Sequence, residues 1–206
     1  MWSDKRTTVA EMRMSVDAFV GERDWRRYHT PVNLASAMVV EAAELLELFQ
    51  WRRDGDPVPE DVVRAAAEEL ADVLHYALAL ANVTDAMLPI DGMTVRRAGK
   101  SFVKVSSIYY RAEDAGLKDV AEDIVGRAVG TMGSVRLSQW RDQGGNEFTE
   151  DLPDEAFDTA QALMDVLESV LVAADALGAD LARELELKME KNRKRFPVGS
   201  KPDVGY

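Results

Sequence analysis

The chain contains no cysteine. That absence excludes a disulfide framework, a zinc–thiolate site and a thiol nucleophile. Histidine is nearly as scarce: there are two, His29 and His75. A di-iron carboxylate bundle requires two Glu-x-x-His motifs, and this chain has none. No apolar run approaches the roughly 18 uninterrupted residues of a membrane span. Asp4, Lys5 and Arg6 follow directly on Trp2, which leaves no room for a secretory hydrophobic segment. The expected address is the cytoplasm, without membrane contact. Positive charge is also in deficit, with 25 Lys and Arg against 37 Asp and Glu and a net charge of -12. A nucleic-acid polymer is therefore not an expected partner, because polyphosphate backbones are bound through excess Lys and Arg. A small anion is compatible with such a chain when metal ions bridge its carboxylates to phosphates.

What is present is a helical pattern. At 206 residues and 47% hydrophobic, the chain can bury a proper core as one domain or two small coupled ones. A first helix is expected from about Thr8 to Tyr28, with Met12, Val16, Phe19 and Val20 as its stripe. Thr30-Pro31 reads as an N-cap followed by proline at the first helical position, opening a second helix that runs to near Gly55. Glu60 and Asp61 supply the negative first turn of a third, carried to about Met87 and stopped by Pro89 and Gly92. Further helices are expected over Thr94–Gly116, with Phe102, Val105, Ile108 and Tyr109 buried, and over Leu117–Trp140. Asp142-Gln-Gly-Gly-Asn146 is the strongest loop signal, and Asp154–Leu177 and Ala179–Arg195 complete the set. No segment alternates with period two, so the fold class is all-α.

Two acidic pairs at i, i+3 stand out among these helices: Glu41-Ala-Ala-Glu44 and Glu69-Leu-Ala-Asp72. At 100° per residue, Glu41 shares its face with Leu34, Ala37, Leu45 and Leu48, with Glu44 at the edge; Asp72 falls among Ala65, Glu69, Tyr76, Ala79 and Val83. Burying those faces against each other brings four carboxylates together in a low dielectric. They cannot all stay ionised there unless a cation joins them. Glu47 points about 120° away from Glu41, and Glu68 lies at the edge of its face, so both are left out of the cation site.

A partial internal repeat runs through the chain. Leu48-Phe-Gln-Trp51-Arg-Arg-Asp-Gly55 resembles Leu137-Ser-Gln-Trp140-Arg-Asp-Gln-Gly144 at an offset of 89, and Asp72-Val-Leu74 resembles Asp165-Val-Leu167 at an offset of 93. Glu41, Glu44 and Glu69 fall on Gly130, Gly133 and Ala162; Asp72 alone finds an acid, Asp165. The reading is a tandem pseudo-repeat with residues 1–92 as the metal-binding half and 93–206 as a degenerate half, together one globular unit.

Phe19-Val-Gly-Glu-Arg-Asp-Trp25-Arg-Arg-Tyr-His29-Thr-Pro-Val-Asn33-Leu, the two acidic pairs, Trp51 and the closing Lys188-Met-Glu-Lys-Asn192-Arg-Lys-Arg195-Phe-Pro-Val together resemble the all-α, MazG-like nucleoside triphosphate pyrophosphatases. The likeness is greatest to the dCTP pyrophosphatase branch, and it covers roughly residues 11–87 and 178–198. It implies Mg²⁺, with Mn²⁺ as a substitute, held by Glu41, Glu44, Glu69 and Asp72. It implies cleavage of a nucleoside triphosphate between its α and β phosphates, with Glu41 or Glu44 as the base. Hard oxygen ligands suit Mg²⁺, and the cation neutralises phosphate charge. The resemblance also puts Trp25, Trp51 and Tyr76 around the base, with His29 and Asn33 nearby. Aromatic faces suit that role, since stacking uses the π surface.

Lys188, Asn192 and Arg195 lie at i, i+4 and i+7 and share one helix face, and the resemblance makes them triphosphate ligands. A basic helix end complementing the macrodipole is the bland alternative. His75, one turn beyond Asp72, reads as a packing residue. Short family members place the closing motif soon after the second acidic pair, whereas here Asp72 and Lys188 stand 116 positions apart. The intervening second half would replace a neighbouring subunit, giving one site in a monomer with a pseudo-dimeric core or in a homodimer. The competing reading is a catalytically silent helical module that binds a nucleotide or a protein.

Overall fold

A computed structural model describes residues 1–53, 56–106, 116–142 and 158–200, with backbone alone for 101–106. Seven helices are found among them: α1 Val9–Glu22, α2 Pro31–Glu47, α3 Glu60–Val83, α4 Val95–Ser106, α5 Leu117–Asp142, α6 Thr159–Leu177 and α7 Leu181–Arg195. No strand occurs among the described residues, apart from an isolated bridge between Thr8 and Thr94. The fold is all-α. No helix among the described residues is long and apolar enough to cross a membrane.

Local chemistry sets the helix ends. Thr8 and Glu11 form a reciprocal capping box at the start of α1, and Thr30 caps α2 by accepting from the Asn33 amide ahead of Pro31 at the first position. Asp158 and Asp180 cap α6 and α7, and α6 ends on Gly178 in the left-handed conformation (φ 67°). Asp4 accepts from the amides of Leu181 and Ala182, so the N-terminal segment is tied to the first turn of α7.

Three helices are shorter than the pattern suggests. α1 stops at Glu22 rather than Tyr28 because Asp24 turns to positive φ (54°), and the chain then folds back, with the Trp25 amide donating to the Val20 carbonyl. α2 stops at Glu47 rather than near Gly55, where turn hydrogen bonds take over from Leu48 to Arg52. α3 stops at Val83 rather than Met87, next to Asp85 at φ 50°. The Gln143–Asn146 part of the loop signal, the Asp154 start, Ile108, Tyr109 and the side chains of Phe102 and Val105 lie outside the described residues.

The architecture is a bundle around α3. α2 packs on α3 and α5 packs on α6; across the bundle α2 meets α5 and α3 meets α6, while α1 and α4 lie against α3 and α6 respectively. α3 is buried almost continuously from Leu70 to Ala81, and its alanines at 66, 67, 71, 77, 79 and 81 let neighbours approach closely. Each fully buried leucine, such as Leu74 or Leu78, contributes about 1.5–3 kcal/mol. One continuous core joins residues of both halves. α7 returns the end of the chain to α3 and α1, and this return carries the closing motif to the acidic pairs.

Candidate functional site

α2 and α3 pack on each other with Glu41 and the Glu69/Asp72 pair facing a common space. Carboxylate oxygens of Glu41, Glu69 and Asp72 lie within 4.8 Å of one another. Asp72 is buried and the two glutamates are half-buried. Three hard, anionic oxygen donors at that separation fit a divalent cation of the magnesium type. Glu44 is exposed and does not belong to that triad, although its charge bears on both Glu41 and Glu69.

The electrostatics reflect this crowding. Burial, followed by the negative charges of Asp72 and Glu44, pushes the Glu41 carboxyl up to about 7. Burial also raises Glu69, with Asp72 and Glu44 adding to it. Asp72 is raised by burial too, but the hydrogen bond and positive charge of Lys188 oppose the shift. The Lys188 ammonium donates directly to Asp72 Oδ2. One turn on, Lys191 pairs with Glu68 at 2.9 Å, which engages the acid that helical geometry left outside the cation site.

Glu41 and Asp72 open into a cavity of about 300 Å³. Glu41, Asp72 and Tyr76 line it from α2 and α3, and Lys188, Asn192 and Arg195 from α7. The closing strip and one acid of each pair, Glu41 and Asp72, thus share one pocket, whose lining does not include Glu44 or Glu69. The rest of its lining is mostly aromatic, with Phe19, Trp25, His29 and Phe196. Trp25 meets Phe19 edge-on at 5.7 Å and Phe196 edge-on at 5.3 Å, with His29 tilted at 6.5 Å. Its Nε1–H donates to the Ser200 carbonyl at 2.8 Å. Buried Arg23 stacks over Phe19 at 3.8 Å and donates through Nε to the Phe196 carbonyl at 2.7 Å. The segment after α7 is therefore stitched to the loop after α1, and together they build the aromatic wall.

Tyr76 is desolvated and close to Glu41 and Asp72, which pushes its hydroxyl up to about 12; it stays a neutral donor. Burial, with Arg26 nearby, lowers His29.

Two residues expected near the base lie elsewhere. Trp51 is 88% exposed in the turn that follows α2, and Asn33 is an exposed residue of the first turn of α2 whose Nδ2 donates to the Tyr28 carbonyl. Neither lines the cavity. Conversely, Phe19, Phe196 and His75 do line it, although the sequence pattern marks none of them as a site residue. Phe196 adjoins Arg195 within the closing motif, which is the signal that identifies it; Phe19 is indistinguishable in sequence from the rest of its apolar stripe.

In the second half, Gly130, Ala162 and Asp165, the positions aligned with Glu41, Glu69 and Asp72, line a separate cavity of about 250 Å³ together with Arg127 and Thr131. In place of a cluster of acids, Arg127 bonds Asp123 at 2.7 Å and lies 3.9 Å from Asp165.

No family model matches the chain. Among curated proteins it is similar to dCTP pyrophosphatase 1 of Homo sapiens, 46% identical over 87 residues, which are 40% of this chain and 51% of that protein. The proteins of the same name from Rattus norvegicus and Mus musculus are 45% identical over 86 residues, with the same coverage. The chain thus spans about half the length of the curated relatives it matches. Over two-fifths of its own length, this all-α chain is similar in sequence to dCTP pyrophosphatase 1.

Proposed function

We propose that the chain is a magnesium-dependent nucleoside triphosphate pyrophosphatase acting on dCTP or a related pyrimidine deoxynucleotide. The observation that carries the reading is the cavity in which Glu41 and Asp72 of the acidic triad, the Lys188/Asn192/Arg195 strip and aromatic side chains meet. A triphosphate needs cationic and hydrogen-bonding partners, a base needs a flat apolar face, and the lining of one space offers both. The similarity to dCTP pyrophosphatase 1 supports the reading.

Glu41, Glu69 and Asp72 would hold the cation, with Glu44 completing the set by a side-chain rotation. Bound there, the cation supplies Lewis acidity and neutralises phosphate charge. The remaining work falls to the chain. Lys188, Asn192 and Arg195 orient the phosphates. Glu41, held ionised by the cation, takes a proton from the attacking water. The water oxygen bonds to the α phosphorus as the bond from that phosphorus to the α–β bridging oxygen breaks. The electron pair leaves with pyrophosphate, and the nucleoside monophosphate remains. The second half acts as a packing partner, and among the described residues the proposed site occurs once.

The test is to incubate the protein with single dNTPs and Mg²⁺, quantify monophosphate and pyrophosphate, and repeat with Glu41→Gln. Stoichiometric release of both products, abolished in the variant, is expected. If no nucleotide yields pyrophosphate, or the variant is equally active, the enzyme reading fails. Activity restricted to dUTP or to purines keeps the mechanism and removes the dCTP assignment.

A further inference from the structure

We propose that His75 is a specificity-determining residue that hydrogen-bonds the nucleoside portion of the bound nucleotide. The inference deepens the pyrophosphatase reading and rests on it. His75 sits on α3 one turn beyond Asp72 and lines the same cavity. It is 7% exposed, and its Nδ1 is sealed from solvent with no hydrogen-bond partner among the described residues. A polar ring buried with an unmet hydrogen bond is costly, and an apolar side chain would fill the same place without that cost. The cost is offset if a ligand in the cavity supplies the missing partner once the imidazole turns that nitrogen toward it.

The position selects which part of the ligand this is. The Tyr76 ring stands edge-on to His75 at 5.4 Å. The charged groups that bear on it are His29, from the aromatic side of the cavity, and Lys188, from the acidic side. His75 is therefore near both a group suited to phosphates, Lys188, and a ring suited to a base, His29. Burial drives its pKa down to about 4, so at neutral pH it is uncharged and brings no countercharge to phosphates. A neutral imidazole offers one donor and one acceptor, which matches the hydroxyls and ring edges of a nucleoside.

The experiment compares wild type with His75→Leu and His75→Gln in three measurements: kcat and KM for dCTP, competitive inhibition by inorganic triphosphate, which lacks a nucleoside, and Tm. For His75→Leu, KM for dCTP rises roughly tenfold, the inhibition constant for triphosphate stays within about twofold, and Tm is equal or higher. His75→Gln recovers part of the lost affinity. An unchanged KM overturns the proposal. So does a parallel rise in KM and in the triphosphate constant, which would mark a phosphate-binding or merely structural role. If wild type releases no pyrophosphate from any dNTP, the parent reading fails by itself, and the same contrast read as calorimetric Kd for dCTP against triphosphate decides the role of His75.

Discussion

Lys188 donates to Asp72 across 116 residues of sequence, joining the closing motif to the second acidic pair. The pair is partly buried, with Asp72 8% and Lys188 32% exposed at the side chain. Lys188 is thus the built-in countercharge of the triad, and it lines the cavity where a triphosphate would lie. Lys188→Met strips Asp72 of its partner and the phosphates of a ligand. The expected results are a loss of about 1–3 kcal/mol in denaturant unfolding and a kcat/KM lower by roughly 10- to 100-fold. Lys188→Arg should recover most of the stability and less of the activity, since a planar fork does not reproduce a point charge.

Glu41 presents the opposite balance. Burial and three neighbouring acids disfavour its charged form, so Glu41→Gln removes repulsion from the cation-free protein while removing the proposed base. Pyrophosphate release is expected to fall by roughly 10²- to 10³-fold, and Tm without divalent cation to stay level or rise. A fall in Tm as large as the fall in activity would point to a structural role instead.

The same shift sets a pH dependence. The folded Glu41 holds its proton up to about 7, whereas the unfolded side chain releases it near 4.5. Between those values the folded state binds more protons, so its stability declines as pH rises. A cation requires the ionised carboxylate, so its stabilisation should grow with pH over that window and level off above about 7. Thermal unfolding from pH 5 to 8.5, in EDTA and in Mg²⁺, gives the check: the gain in Tm on adding Mg²⁺ is larger at pH 8 than at pH 5.5. An equal gain at both would remove Glu41 from the cation site.

Much of this arrangement is legible in residues taken singly. The i, i+3 spacing alone puts Glu69 and Asp72 on one face of α3, and Thr30-Pro31 announces α2. What single residues do not reveal is set by chain reversal. Asp24 at positive φ turns the chain so that Trp25 falls back on Phe19, and no helical periodicity foretells that. The meeting of Lys188 with Asp72 depends on α4, α5 and α6 returning the chain to α3, a tertiary outcome with no local signature. His75 shows a further limit: a histidine on a buried helix face looks like packing until its missing hydrogen-bond partner is seen.

Trp25 and Trp51 carry equal weight in the family resemblance but opposite environments in the fold. Trp25 is 7% exposed within the aromatic wall and holds the Ser200 carbonyl, whereas Trp51 is 88% exposed and outside the cavity. Trp25→Phe keeps a ring against Phe19 and Phe196 but drops the Nε1 hydrogen bond, which loosens the segment after α7. That loss costs about 1 kcal/mol of stability, and KM for the nucleotide should rise roughly three- to tenfold. Trp51→Ala removes a side chain that touches little of its own chain, so Tm should hold and KM should stay within about twofold. Steady-state kinetics on both variants with one nucleotide make the comparison. Should Trp51→Ala raise KM as much as Trp25→Phe, the base site extends beyond this cavity, and Trp51 reaches the nucleotide from a second copy of the chain.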